Sequence, residues 1–173
     1  MTDLIIDSLT MRFSGLVALD EVSFSVKENE IFSLIGPNGS GKTTLLRILA
    51  GLHQEFEGDV YWEEEHCPLY IGHRRGLKAL MSARENLLWS AAINGQKTKL
   101  SEVDEALRQV SMGGYIDIAC GSMSEGQRGR VSLARLFLLN NPVWILDEPF
   151  NAIDSAGIQC LVESIKKHLS SGG

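Results

Sequence analysis

The run GPNGSGKTT, from Gly36 to Thr44, is the part of this chain whose residue types and spacing could do chemistry most directly. It matches G-x-x-x-x-G-K-[ST] at Gly36, Gly41, Lys42 and Thr43. Its glycines let the backbone bend until successive N–H groups converge on phosphate oxygens. Lys42 then reaches the β and γ phosphates, and Thr43 offers a hydroxyl to magnesium. The candidate cradle comprises Gly36, Pro37, Asn38, Gly39, Ser40, Gly41, Lys42, Thr43 and Thr44, and its expected occupant is a nucleoside triphosphate with Mg2+.

Phosphoryl transfer to water needs three things: a charge cradle, a magnesium site and a group that orients the attacking water. The loop supplies the first, and Thr43 with Asp147 would supply the second. Asp147 and Glu148 stand at the end of the apolar run VWIL, Val143 to Leu146. A buried strand with acids at its C-terminal tip is where an α/β sheet places its ligands. Glu148, one residue beyond the metal ligand, is the candidate for polarising the water, so Lys42 and Glu148 are the expected catalytic groups.

Several elements must hold these groups in place. IFSLI (Ile31 to Ile35) reads as a buried strand entering the loop, and KTTLLRILAGL (Lys42 to Leu52) reads as the helix leaving it. That helix would aim its positive end at the phosphates. Leu4–Phe13 and Ala18–Val26 are β-rich runs. Asp59–Trp62 and Leu69–His73 read as two more strands, with the acids Glu63 to Glu65 as a solvated hairpin tip. From Leu77 to Met112 the pattern is helical, with Ser101 as a candidate N-cap ahead of Val103, Ala106, Leu107 and Val110. Ser124–Asn140 is a further helix, and Gln127 lies three residues after Ser124, at capping-box spacing. In the last helix, Ser155–Leu169, the residues Ile158, Leu161, Val162, Ile165 and Leu169 share a face.

Composition narrows the function class. The net charge of -6 argues against a nucleic-acid binder working by bulk electrostatics. Cys67, Cys120 and Cys160 are widely spaced and odd in number, as expected of structural thiols in a reducing compartment. His53, His66 and His168 show no metal-ligand spacing. No stretch approaches the ~20 apolar residues that cross a bilayer, and the acidic N-terminus does not fit a signal peptide. Any action at a membrane is therefore expected through a partner.

MSEGQ (Met123 to Gln127), upstream of ILDEP (Ile145 to Pro149) and followed by NAID (Asn151 to Asp154), resembles the signature, Walker B and D-loop sequences of ATP-binding cassette (ABC) ATPases. The resemblance covers the whole chain. It implies an α/β fold: a P-loop NTPase (RecA-like) core, an N-terminal antiparallel β subdomain and a helical signature subdomain at about residues 77–135. All of this would form a single domain over residues 1–173. It also implies a head-to-tail dimer in which Ser124, Gly126 and Gln127 contact the γ-phosphate bound by the partner's P-loop. Phe13 matches the aromatic position that stacks on adenine. His73, thirteen residues before Asn86, stands where a magnesium-contacting Gln is usual. By resemblance this adds it to Glu148 and Lys42 as an expected catalytic residue and to Thr43 and Asp147 as an expected metal contact, and an imidazole there would make coupling pH-sensitive.

That His, together with Phe150 after the Pro, makes LYIGHRRGLKALMSARENL and WILDEPFNAID similar to the ATP-binding subunits of cytochrome c maturation (haem exporter type) complexes. The similarity implies a motor subunit on the cytoplasmic side of a membrane, the inner membrane in a bacterium or the matrix side in a mitochondrion. Its partners would be integral membrane subunits, not nucleic acid, and its ATP use would be linked to passing haem to a periplasmic chaperone. A partner helix would dock on residues 74–93, among Leu77, Leu80, Met81, Leu87, Leu88 and Trp89. Met123 and Glu125 depart from the commonest signature, LSGGQ, and Glu125 is expected to point outward. The resemblance implies that the family's last core strand and its γ-phosphate His are missing from these residues, since His168 precedes the Gly pair; the expectation is either a chain truncated at its C-terminus or a naturally impaired one. A module lacking that H-loop region would hydrolyse weakly, which is the alternative reading; a soluble clamp on nucleic acid or ribosomes is a more remote one.

Overall fold

Ser14 and Gly15 both adopt positive φ, 45° and 90°, so the chain reverses in a two-residue turn whose twist suits antiparallel strands. The turn joins β1 (Thr2–Phe13) to β2 (Leu16–Lys27), with Phe13 opposite Leu16. The computed structural model describes residues 2–63, 68–72, 75–151 and 153–172. Leu4 and Ile6 of β1 point into the core, and so do Leu9 and Met11, a change of parity within one strand. A bulge centred on Ser8 (φ 51°) absorbs the extra residue and keeps both pairs on the buried face.

Two units make up the chain: residues 1–70, 141–147 and 168–173 form the first, and residues 71–140 and 148–167 form the second. In the first, β3 (Glu57–Trp62) pairs with the free side of β1, giving an antiparallel sheet of order β2-β1-β3. Its core joins Leu4, Ile6, Leu9, Met11 and Leu19 to Leu45, Ile48 and Leu49 of α1 (Lys42–Leu49) and to Ile145 of β5 (Trp144–Leu146). β4 (Leu69–Ile71) pairs with β5. The expected hairpin between 59–62 and 69–73 is therefore corrected: each strand finds a nonlocal partner. Ile31–Ile35 is irregular and not a strand, because no described residue pairs with it. Ile35 is 96% exposed. Apolar β-forming residues do not make a strand without a neighbour's hydrogen bonds.

The second unit is helical: α2 (Ala83–Ile93), α3 (Leu100–Gln109), α4 (Glu125–Leu133), α5 (Arg135–Leu138) and most of α6 (Ser155–Ser170). Ser82 and Glu85 form a capping box on α2. Asn86 fastens the preceding loop, accepting from the Lys78 N–H at 2.7 Å and donating to the Lys78, Met81 and Ser82 carbonyls. Arg84 pairs with Asp104 at 2.8 Å and joins α2 to α3. Leu87, Val103, Leu107, Met112 and Val131 are fully or almost fully buried.

Three expectations shift here. α3 begins at Leu100, with the Glu102 carboxylate accepting from the Lys99 N–H, so Ser101 lies inside the helix and is not its cap. The helix expected over 124–140 breaks near Ala134 into α4 and α5. On α6, Ile158 and Val162 are exposed while Gly157, Leu161 and Ser164 are buried. Leu161 holds the expected face and Ile165 and Leu169 are half-buried on it, but Gly157 and Ser164, whose small side chains permit close approach, take the buried positions expected of Ile158 and Val162.

Candidate nucleotide site

Gly41 has φ 87°, and a Cβ built on it would fall on the Ala18 carbonyl oxygen and 2.8 Å from Leu19 Cδ2. Only glycine fits between β2 and the start of α1. Because Gly41 is also the N-cap, no side chain caps α1, and the first-turn N–H groups keep the positive end of the helix for an anion. Lys42 Nζ donates to the carbonyls of Gly36 and Pro37 at 2.7 and 2.8 Å, which holds the ammonium against the loop.

Thr43 Oγ1 donates to the Asp147 carboxylate at 3.0 and 3.2 Å. Asp147 is buried at the end of β5, and Tyr70 of β4 donates its hydroxyl to the same carboxylate at 3.2 Å. Burial pushes the Tyr70 hydroxyl above its ordinary pKa, helped by Asp147 and opposed by Arg47. Thr43 and Asp147 are hard oxygen donors, the set magnesium takes when phosphate and water complete its octahedron. Among the described residues no three His, Cys, Asp or Glu side chains converge, so this donor pair fits a metal shared with phosphate rather than one caged by protein. Phe13 is 42% exposed in the same unit, edge-on to His53 at 6.1 Å, and its ring is accessible for stacking.

The second unit holds the other candidate residues. Ser124 caps α4: its Oγ accepts from the Gln127 N–H at 3.2 Å, and Gln127 Oε1 accepts from the Ser124 N–H at 2.9 Å. Gly126 lies between them, with nothing within 4 Å of where a Cβ would stand. Glu125 is turned to two guanidiniums, Arg75 at 2.6 Å and Arg128, and the Arg128 bond in particular holds its carboxyl below the usual range. Glu148 adopts φ 52°, unusual for a side-chain-bearing residue and often found where function imposes strain. Its Oε2 accepts from Asn151 Nδ2 at 2.6 Å.

The structure thus brings Thr43 together with Asp147, and Ser124 together with Gln127. His73 lies outside the described residues. Tyr70, Arg47 and Arg75 were not anticipated as site residues from the sequence, and Asn151 was noted only as the start of the D-loop-like NAID; Arg75 lies fifty residues from Glu125 in the chain, so no local signal pointed to it. Cys120 and Cys160 are free thiols, and Cys67 lies outside the described residues.

Residues 19–151 match the ABC transporter family. The cytochrome c biogenesis ATP-binding export protein CcmA of Saccharophagus degradans is 40% identical, the match covering 96% of this chain and 82% of the relative. The protein of the same name from Rhodobacter capsulatus is 43% identical over 100% of this chain and 78% of its own length. An ABC transporter ATP-binding protein from Pyrococcus furiosus superposes with a TM-score of 0.83 at 24% identity, covering 99% of this chain and 88% of that one, a likeness of fold alone. With its phosphate loop, its Thr43–Asp147 pair and its capped signature helix, the chain belongs to the ABC transporter family, as an ATP-binding cassette of the ABC ATPase type.

Proposed function

We propose that this chain is the ATP-binding and ATP-hydrolysing motor subunit of a membrane ABC complex for cytochrome c biogenesis, as its relatives are named, serving haem delivery or export. The observation that carries this reading is the Thr43 hydroxyl against the buried Asp147 carboxylate, beside a helix start that only glycine permits. The loop from Gly36 to Thr44 binds the triphosphate, Lys42 neutralises the β and γ phosphates, and Phe13 stacks on adenine. Thr43 and Asp147 hold Mg2+, with His73 as a further candidate contact. Magnesium, when bound, offsets the charge on the phosphate oxygens. Glu148 takes up a proton from the attacking water. Ser124, Gly126 and Gln127 of a second copy meet the γ-phosphate at the positive end of α4, in a head-to-tail dimer.

Residues 1–173 act as one cassette, with the helical part at about 77–135 as its partner-facing subdomain. Of the apolar residues in that region, Leu87 is core, whereas Leu80 (97% exposed), Trp89 and Ile93 are open to an integral membrane subunit. Among the described residues no helix is long and apolar enough to cross a membrane, so docking at the cytoplasmic face rests on that partner.

The test separates binding from turnover. Mg-ATP is expected to raise the melting temperature of the wild type and of Glu148→Gln but not of Lys42→Ala, while Glu148→Gln loses about 10²- to 10⁴-fold in turnover. Wild-type binding by Lys42→Ala, or wild-type turnover by Glu148→Gln, sinks the reading.

A further inference from the structure

Hydrogen bonds run through the second unit from the first turn of α4 to the carboxylate of Glu148, and Arg75 is the middle link. Its Nη1 donates to the Glu125 carbonyl at 2.8 Å and to Glu125 Oε2 at 2.6 Å; its Nη2 donates to the Asn151 carbonyl at 3.3 Å. Asn151 continues the chain by donating from Nδ2 to Glu148 Oε2 at 2.6 Å and from its N–H to the Glu148 carbonyl at 3.0 Å. A guanidinium is suited to this place because its planar fork serves two directions at once, which an ammonium does less well.

The fork is itself anchored from below. Arg135 Nη2 donates to the Arg75 carbonyl at 3.2 Å and to Ser132 Oγ at 2.5 Å, while its Nε donates to the Ser132 carbonyl. Burial pushes Arg135 down to about 10, still charged at neutral pH, so a buried cation is committed to fixing the backbone at Arg75. On the far side, Arg128 engages the other oxygen of Glu125 and donates to the Met123 carbonyl at 2.7 Å. Both carboxylate oxygens of the unusual signature acid are thereby occupied by cations. The strained backbone at Glu148 is the feature that most needs such support.

We propose that Arg75 is a positioning residue for ATP hydrolysis, tying the first turn of α4 to the turn that orients Glu148. The inference rests on the ATPase reading above and adds to it a route by which the signature helix and the water-polarising acid are held in register. Arg75 touches neither nucleotide nor water in this scheme; it acts through Asn151. Its effect falls on the chemical step, because no nucleotide-binding residue of the first unit is part of the chain of bonds.

The experiment compares Arg75→Ala, Asn151→Ala and the double variant in the full chain, by ATP turnover and by amide exchange. Each single variant is expected to lose about tenfold in kcat with KM for ATP within about twofold. The double variant falls no further than the worse single one, because both cut the same link. Arg75→Lys, which keeps the charge and one donor direction, recovers part of the loss and also serves if Arg75→Ala folds poorly. In Arg75→Ala, exchange quickens at residues 148–151 and in the first turn of α4 but not in α1. Multiplicative losses in the double variant, or wild-type kcat in Arg75→Ala, overturn the proposal. A wild type without turnover would overturn the ATPase reading instead; the exchange arm still decides the tie, and unchanged exchange at residues 148–151 rejects it.

Discussion

Gly41 in the phosphate loop and Gly126 in the signature helix are the same residue type in two motifs proposed to meet phosphate, yet their surroundings are unlike. At Gly41 the backbone lies in the left-handed region and the space for a Cβ is filled by the Ala18 carbonyl and Leu19. At Gly126 the space is open, and order at the start of α4 comes from Ser124, Gln127, Arg75 and Arg128. The first unit builds its proposed nucleotide site from backbone conformation and a buried carboxylate. The second builds its contacts from charged and capping side chains on an ordinary helix. A site made of backbone tolerates no side chain in its way, whereas one made of side chains can be weakened by degrees.

The sharpest way to break this comparison is to put alanine at both glycines. Gly41→Ala adds about 1–2 kcal/mol of left-handed strain before the clash with Ala18 is counted. Loss of the Mg-ATP thermal shift and a lower melting temperature are expected together. Gly126→Ala gains helix propensity of up to about 1 kcal/mol and meets no neighbour, so its melting temperature should hold or rise. Any defect should appear in turnover alone. Equal destabilisation of the two variants, seen by calorimetry, would show that the units are not built differently.

A smaller effect separates capping from chemistry within the second unit. Ser82 and Ser124 form the same capping box on α2 and α4. Replacing either by alanine should cost about 1 kcal/mol in chemical denaturation. Only Ser124→Ala should also slow ATP turnover, since only that hydroxyl stands at the proposed phosphate face. If Ser82→Ala slows turnover as much, the signature serine acts as a cap and nothing more.

The same contrast explains what could be read in advance. The turn at Gly41 and the meeting of Thr43 with Asp147 were legible because a fixed backbone path and a proposed metal site each demand particular residue types at particular spacings. The Ser124–Gln127 cap was legible because its reach is local. β3 and β4 were placed as strands but mated wrongly, because pairing with β1 and β5 is decided by partners far along the chain. Ile31–Ile35 has strand composition and no partner among the described residues, a fact that no local pattern carries. Tyr70 and Arg75 were silent for a related reason: each matters through a residue distant in sequence, Asp147 or Glu125, and the family-like stretch that contains them assigns neither a role.

The smallest expected effect lies in the first unit and concerns its stability with pH. His168 stacks on Trp144 at 3.7 Å between centroids and sits 3.0 Å from the Pro142 carbonyl, to which its Nε2–H donates. Burial lowers its pKa, with the bond to Pro142 pulling the other way. A depressed pKa means that the folded state takes up the proton less readily than the unfolded chain does. The contribution is therefore fully present above the ordinary value of about 6.5 and is lost as pH falls through the lower folded value. His168→Phe keeps a ring against Trp144 and removes the titration, so its melting temperature should fall less than that of the wild type between about pH 7.5 and 5.5. Calorimetry on the pair isolates the difference from every other titrating group. Parallel pH profiles would mean that the imidazole at this stack stays hydrated enough to titrate as it does in the unfolded chain, which would leave packing against Trp144 as its whole role.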